Sequence, residues 1–248
     1  MKTGILLGSL NRGGTETLML DVFKKIQPNQ IALTGIYRKK GELENDFQLS
    51  GTEMHYLPVN KNIFSYIVRL RRLIKQQNLS ILHAQQPLDA LYALLATLGT
   101  NLPILLTLHG YDFNNNFLDH VILKLILKRT TLNLYVSEHQ KEYYRQKYAL
   151  KPALQKVVYN GINFDKFETT DGVNLRTELN IDKNTLLLGT VGNFLPVRDP
   201  LTICRFLKLL NEQTPDFHFI FIGKKSASFP QIQEDCVKFC MEHGLIDK

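Results

Sequence analysis

The octet GSLNRGGT runs from Gly8 to Thr15, directly after the apolar run ILL. Its spacing departs by one residue from the phosphate-binding loop G-x-x-x-x-G-K-[ST], because Gly14 stands where the lysine belongs. A P-loop enzyme uses that lysine to neutralise the β- and γ-phosphates, and a glycine cannot. The dinucleotide spacing G-x-G-x-x-G fails too, since Gly8 is followed by Ser9, Leu10 and Asn11. A more general chemistry survives. A strand running into a glycine turn and then a helix aims backbone N–H groups and a positive helix end at one spot, which favours an anion even without a lysine. A tight turn packed for steric reasons is the alternative.

Other reactive side chains are sparse. Three cysteines, with no framework of spacings, fit a reducing cytoplasm. Cys236 and Cys240 stand at i, i+4, but no histidine or acid sits at metal-ligand spacing beside them, so a buried helix face is expected. The formal net charge of +7 is uneven. Up to Asn160 there are 20 Lys and Arg against 11 Asp and Glu, and beyond it 10 against 12. The first part is therefore the one expected to meet something anionic. No apolar run reaches the roughly 18 residues of a membrane span. MKTGILLGSL reads as a first strand rather than a signal peptide, because Asn11-Arg12 interrupts it before any cleavage site.

The elements that must position these residues alternate from the start. TGILLG, QIALTGIY, TEMHYL, SILHA, PILLTLHG, TLNLYVS and KVVY read as strands. Helical patterns fall between most of them. TETLMLDVFKKI places Leu18, Val22, Phe23 and Ile26 on one side. NIFSYIVRLRRLIKQQ has an apolar stripe of Ile63, Ile67, Leu70 and Ile74, with Arg69, Arg71, Arg72 and Lys75 off it. PLDALYALLATLG has proline in its first turn and glycine at its end. Alternation of this kind implies parallel pairing with helical crossovers. The pattern loosens over NGINFDKFETTDGVN and restarts with TLLLGTVG, DPLTICRFLKLLNEQ, FHFIFIG and FPQIQEDCVKFCMEHG. Two strands and two helices cannot bury both faces of a sheet, so the second part reads as an unfinished domain.

Five short motifs carry a resemblance: GGTE after the first strand, LHG ending a middle strand, VSE opening a helix, VVYNGINFDKF at the junction and GTVGNFLPVRDP opening the second part. Their order and spacing resemble those of glycosyltransferase family 4, over almost the whole chain. The resemblance implies an α/β, GT-B-like fold. Residues 1–165 would form a complete Rossmann-like acceptor-side domain with a parallel sheet, 166–184 a linker, and 185–248 a truncated Rossmann-like donor domain. It further implies that Gly13 and Gly14 bring backbone amides to phosphate or acceptor oxygens. His109 would reach the transferred sugar, a role consistent with its place at the carboxyl end of a parallel strand. Asn160 and Gly161 would shape the junction. The family's diphosphate-binding arginine and lysine correspond to Asn193 and Arg198, so one charge is missing and one is conservatively replaced. The family's E-x7-E pair has one match in spacing, Glu234 and Glu242, which lies in an ordinary amphipathic helix and is set aside as solvated glutamates. No D-x-D occurs, so no catalytic metal and no cofactor are expected beyond a nucleotide-diphosphate sugar as donor substrate.

The function this implies is retaining transfer of a sugar from a nucleotide-diphosphate donor to a glycan or lipid-linked acceptor, in polysaccharide or glycoconjugate biosynthesis. The basic segment Ile63–Lys75 suits docking on the cytoplasmic face of an anionic membrane, and equally an exposed helix without membrane contact. Two other readings stand beside this one. The chain could be a non-catalytic remnant or partner-binding module, or another GT-B enzyme such as a sugar-nucleotide epimerase. Nucleic-acid binding has the charge but no recognisable motif.

Overall fold

Short runs rich in Ile, Leu and Val between amphipathic helices build the sheet that the alternation predicts. The computed structural model describes residues 1–26, 31–60, 62–112, 116–167 and 174–248. It divides into two compact units, Met1–Lys166 and Phe167–Lys248. Residues 168–173 of the expected linker lie outside the described residues.

The first unit runs β1 (Lys2–Leu7), α1 (Gly14–Lys25), β2 (Ala32–Tyr37), α2 (Glu44–Leu49), β3 (Glu53–Tyr56), α3 (Ile63–Gln76), β4 (Ile81–Ala84) and α4 (Pro87–Ala96). It continues with β5 (Ile104–Leu108), α5 (Phe117–Arg129), β6 (Leu132–Tyr135), α6 (Glu138–Tyr148) and β7 (Gln155–Val157). All seven strands are parallel, in the order β3-β2-β1-β4-β5-β6-β7. The order reverses between β1 and β4, the point where open α/β sheets leave a crevice at their carboxyl edge.

Alternation along the strands divides the core. Leu6, Ile36, Leu82, Ala84, Leu106 and Tyr135 face α3 to α6 in one cluster. Ile5, Leu7 and Tyr37 face α1 and α2 in another, with Met19, Phe23 and Phe47. Along β4 to β6 the second face is less covered, and His83, Leu105 and Leu132 remain only partly buried.

Three expectations need correction. The buried stripe of α3 is Tyr66, Leu70 and Ile74, while Ile63 is 52% exposed. Tyr66 takes that place because its ring packs edge-on against Tyr92 of α4, with centroids 5.0 Å apart. Two of the arginines of α3 are also drawn off the free surface. Arg69 donates to the Pro58 carbonyl at 2.6 Å, and Arg71 to the Ala96 and Leu98 carbonyls at 3.3 and 2.8 Å. Finally, α2 has no counterpart among the expected helices; its six residues are too few to show a helical period.

The second unit contains α7 (Leu175–Glu178), β8 (Leu186–Val191), α8 (Pro200–Gln213), β9 (Phe217–Ile222) and α9 (Gln231–Glu242). β8 and β9 form a two-stranded parallel sheet. Cys204, Cys236 and Phe194 pack in its small core with Cys240 partly buried against them, so Cys236 and Cys240 do face inward. Burial holds the Cys204 thiol well above its ordinary pKa. Glu234 is paired with Lys225 at 2.8 Å and Glu242 with Lys238 at 3.9 Å, all on the exposed surface. The fold is therefore α/β throughout, with a full parallel sheet in the first unit and a small one in the second.

Candidate functional site

The carboxyl edge of the first sheet gathers the loops that follow each strand, and the glycine loop lies there between β1 and α1. Gly13 is the N-cap of α1 and Gly14 its first residue. Gly13 has φ −146°, extended backbone open to any residue, and a Cβ on Gly14 would meet nothing within 4 Å. Gly14 is therefore not demanded by the fold of this turn, whereas a Cβ on Gly13 would lie 2.5 Å from the Glu16 carboxylate, whose flexible end would have to shift. The glycine that is demanded is Gly41, which the motifs did not single out. A Cβ there would lie 2.2 Å from the backbone nitrogen of Asn11. That close approach lets the β2–α2 segment brace the glycine loop, with Leu10 N–H donating to the Lys39 carbonyl and Leu43 N–H to the Leu10 carbonyl.

Beside the loop, the Arg38 guanidinium at the end of β2 lies 2.6 Å from the carboxylate of Asp89 in the first turn of α4. Both side chains are nearly buried, at 10% and 2% exposure, and Arg38 also lies 5.7 Å from the centre of the Tyr92 ring. This pair ties β2 to α4 under the mouth of the edge. Only long-range packing brings the two together, and no motif marks them.

His109 follows β5. Its Nε2 is 2.9 Å from Oε1 of Gln85, which follows β4 and is itself 3% exposed. His83, two residues before Gln85 on the same face, is 2.7 Å from the Thr107 hydroxyl. Burial lowers the pKa of both imidazoles, and for His83 burial and the neighbouring His109 bring it down to about 4. Both rings are therefore neutral at pH 7. The peptide after His109 is fixed as well. The Gly110 carbonyl accepts from the Gln140 side-chain amide at 2.8 Å and from the Tyr144 hydroxyl at 3.1 Å.

A cavity of about 320 Å³ opens beside these groups. His83, Gln85, Thr107 and His109 supply its polar wall, and Leu18, Met19, Val22 and Ile26 of α1 an apolar one. Asn160 and Gly161, on the segment leaving β7, complete it. The structure thus brings together His109, Asn160 and Gly161. Gly13 and Gly14 belong to the same sheet edge but do not line this cavity. Gln85 was missed at the level of sequence, although its spacing of two from His83 on a strand ending at the carboxyl edge is the available signal.

In the second unit, Asn193 and Arg198 flank the turn after β8. The Asn193 Oδ1 accepts from Lys224 N–H at 3.0 Å, joining the ends of β8 and β9. The two strand ends touch so closely that a Cβ on Gly223 would lie 2.0 Å from the Gly192 carbonyl oxygen. The Arg198 guanidinium folds over Gly192, where a Cβ would be 3.1 Å from its terminal nitrogen. Asp199, next in the chain, has φ +41° and caps α8, its carboxylate taking the Thr202 hydroxyl at 2.6 Å. A non-glycine residue in the left-handed region is uncommon and costly, and such residues gather where a loop must hold one shape.

Comparison with known proteins agrees with this geometry. Residues 12–166 match Glycosyltransferase Family 4. The capsular polysaccharide biosynthesis glycosyltransferase CapH of Staphylococcus aureus is 22% identical over 236 residues, covering 90% of this chain and 62% of that protein. Anabaena Alr3699/HepE, in complex with UDP-glucose, superposes with a TM-score of 0.84 at 15% identity, over 99% of this chain and 66% of its own. A glycosyltransferase from Rickettsia africae ESF-5 superposes with a TM-score of 0.79 at 19% identity, over 100% and 66%. The chain spans about two thirds of the length of these relatives. Its first unit carries the whole family match, and the chain belongs to glycosyltransferase family 4.

Proposed function

We propose that this chain takes part in retaining transfer of a sugar from a nucleotide-diphosphate sugar to a hydroxyl of a glycan or lipid-linked acceptor. The pathway would be biosynthesis of a polysaccharide or glycoconjugate, as in its relative CapH. In that reaction the bond between the sugar's anomeric carbon and the diphosphate oxygen breaks. The acceptor oxygen bonds to the same face of that carbon, and its proton passes to the departing phosphate. His109 serves the transferred sugar. Gly13 and Gly14 offer backbone N–H groups to phosphate or acceptor oxygens, and Arg198 neutralises diphosphate charge as the bond breaks. Asn193 serves the donor side by shaping the turn that carries Arg198, and Asn160 and Gly161 shape the segment that closes the His109 cavity. The acceptor is presented at the cytoplasmic face of a membrane, to which the protein binds peripherally.

The observation that carries this reading is the His109 imidazole, its Nε2 2.9 Å from the buried Gln85 amide oxygen at the carboxyl edge of a parallel sheet in a family 4 chain. The test is incubation with UDP-glucose, the sugar nucleotide bound by HepE, with and without lipid-linked or oligosaccharide acceptors. Acceptor-dependent release of UDP with an α-linked product supports the proposal. Epimerised sugar nucleotide formed without acceptor would replace it with the epimerase reading. Absence of any sugar-nucleotide binding or turnover would leave the non-catalytic, partner-binding reading.

A further inference from the structure

The helical layer formed by α3, α4 and α5 covers one face of the first sheet, and its outer surface is unusual for a protein surface. Phe117 and Leu118 are 80% and 60% exposed, and Val121 and Leu125 follow at 43% and 50%. At i, i+1, i+4 and i+8 these four share one side of α5. Leu88 on the neighbouring α4 is 44% exposed, and Leu98 just beyond that helix 64%. Between the two helices lies a groove of about 580 Å³, walled by Leu94, Leu95, Leu102 and Leu125, with Arg129 on its lining. Contiguous apolar surface of this extent marks a site of interaction rather than a random scatter.

The charges around it identify the partner. α3 carries four cations and no acid, and α5 three cations and one acid. The acid of α4, Asp89, is buried against Arg38. Arg72, Lys75, Lys128 and Arg129 are exposed. An exposed apolar stripe flanked by cations suits neither a hydrophobic core nor an acid-poor soluble surface, but it matches acyl chains beneath anionic headgroups. Among the described residues no helix is long and apolar enough to cross a membrane.

We propose that the α3–α5 layer is the membrane-docking surface, with the apolar side of α5 and its groove with α4 inserted among acyl chains and the flanking cations on anionic headgroups. This deepens the peripheral association put forward above and rests on that reading only for its biological purpose. It centres the contact on α4 and α5 rather than on a free amphipathic α3, whose Tyr66, Leu70 and Ile74 are in the core.

The chain has no tryptophan, so L118W makes a single-site reporter. L49W provides the control, on a residue 84% exposed on α2 and on the opposite side of the sheet. The experiment is co-sedimentation and fluorescence with vesicles of phosphatidylcholine alone or mixed with phosphatidylglycerol, at low and high salt. Expected are salt-sensitive binding to the mixed vesicles only, a blue shift for L118W and none for L49W. V121D and L125D should abolish binding, and K128E or R129E should weaken it roughly fivefold or more each, with unfolding temperatures near wild type. Absence of binding, equal binding to uncharged vesicles, or an unshifted L118W on bound protein would overturn the proposal. A concentration-dependent dimer without vesicle binding would assign the face to a second copy instead. UDP-glucose binding by the same preparation without vesicles is read separately. Its loss would sink the transferase reading and leave the docking result standing.

Discussion

Gln85 and His109 sit at the ends of adjacent parallel strands, and the Gln85 amide oxygen lies 2.9 Å from Nε2 of the imidazole. With an acceptor at Nε2, that nitrogen carries the proton of the neutral ring, and Nδ1 keeps its lone pair. The Gln85 amide nitrogen is buried and has no hydrogen-bond partner among the described residues. A buried donor left this way costs stability, so Gln85 is a candidate to meet a ligand oxygen as well as to hold the ring.

The first prediction concerns this pair. H109A should lower kcat for sugar transfer by about 10²- to 10³-fold, the scale of losing one preorganised polar group at the reacting centre. Q85L should leave the protein folded and shift the imidazole ¹⁵N signals toward a mixture of tautomers. Unchanged ¹⁵N shifts in Q85L would show that the contact does not order the ring.

Acid should destabilise the first unit through His83. Its folded pKa, about 4, lies below the ordinary value of 6.5, because burial and His109 both oppose its charge. The unfolded chain therefore takes up a proton that the folded chain refuses, and stability is lost as pH falls from about 6.5 to about 4. The full effect is about 3 kcal/mol. Urea unfolding across that range should show a shallower acid limb for H83Q than for wild type.

Breaking the Arg38–Asp89 pair should be costly. R38M or D89L alone leaves a buried charge without its partner, worth about 3–5 kcal/mol. The double variant should recover most of that loss, since two well-packed apolar groups replace two desolvated charges. Equal destabilisation by single and double variants in denaturant titrations would refute the coupling.

Gly14 separates binding from folding. With nothing within 4 Å of its absent side chain, G14A should keep or raise stability, by up to about 1 kcal/mol from helix propensity. The same variant should weaken substrate binding if a ligand presses against the N–H groups of this turn. Wild-type turnover in G14A would remove the glycine from the site.

Arg198 is tested by affinity. R198A should weaken sugar-nucleotide binding by roughly ten- to a hundredfold, the scale of charge-assisted hydrogen bonds, and R198K should fall between. Because the residue is exposed, the unfolding temperature should not move. Calorimetric titration with UDP-glucose reads both arms.

Much of this protein was legible in one dimension. The strands among the described residues followed from short runs, most of them apolar, bounded by turns and separated by helical patterns, as a parallel sheet covered by helices requires. The long helices followed from their amphipathic period, and the place of His109 just after a strand followed from the run PILLTLHG. The rest depended on partners far apart in the chain. Tyr66 displaced Ile63 from the core because Tyr92 lies across from it, and Arg69 and Arg71 turned to carbonyls that only packing brings near. Gly41 matters only because Asn11 lies against it. Gln85 looks like any polar strand residue until β5 is laid beside β4 and His109 comes within hydrogen-bond reach. Local pattern records what a segment must bury, and it is silent on which distant group will meet it; that was decided by the tertiary structure alone.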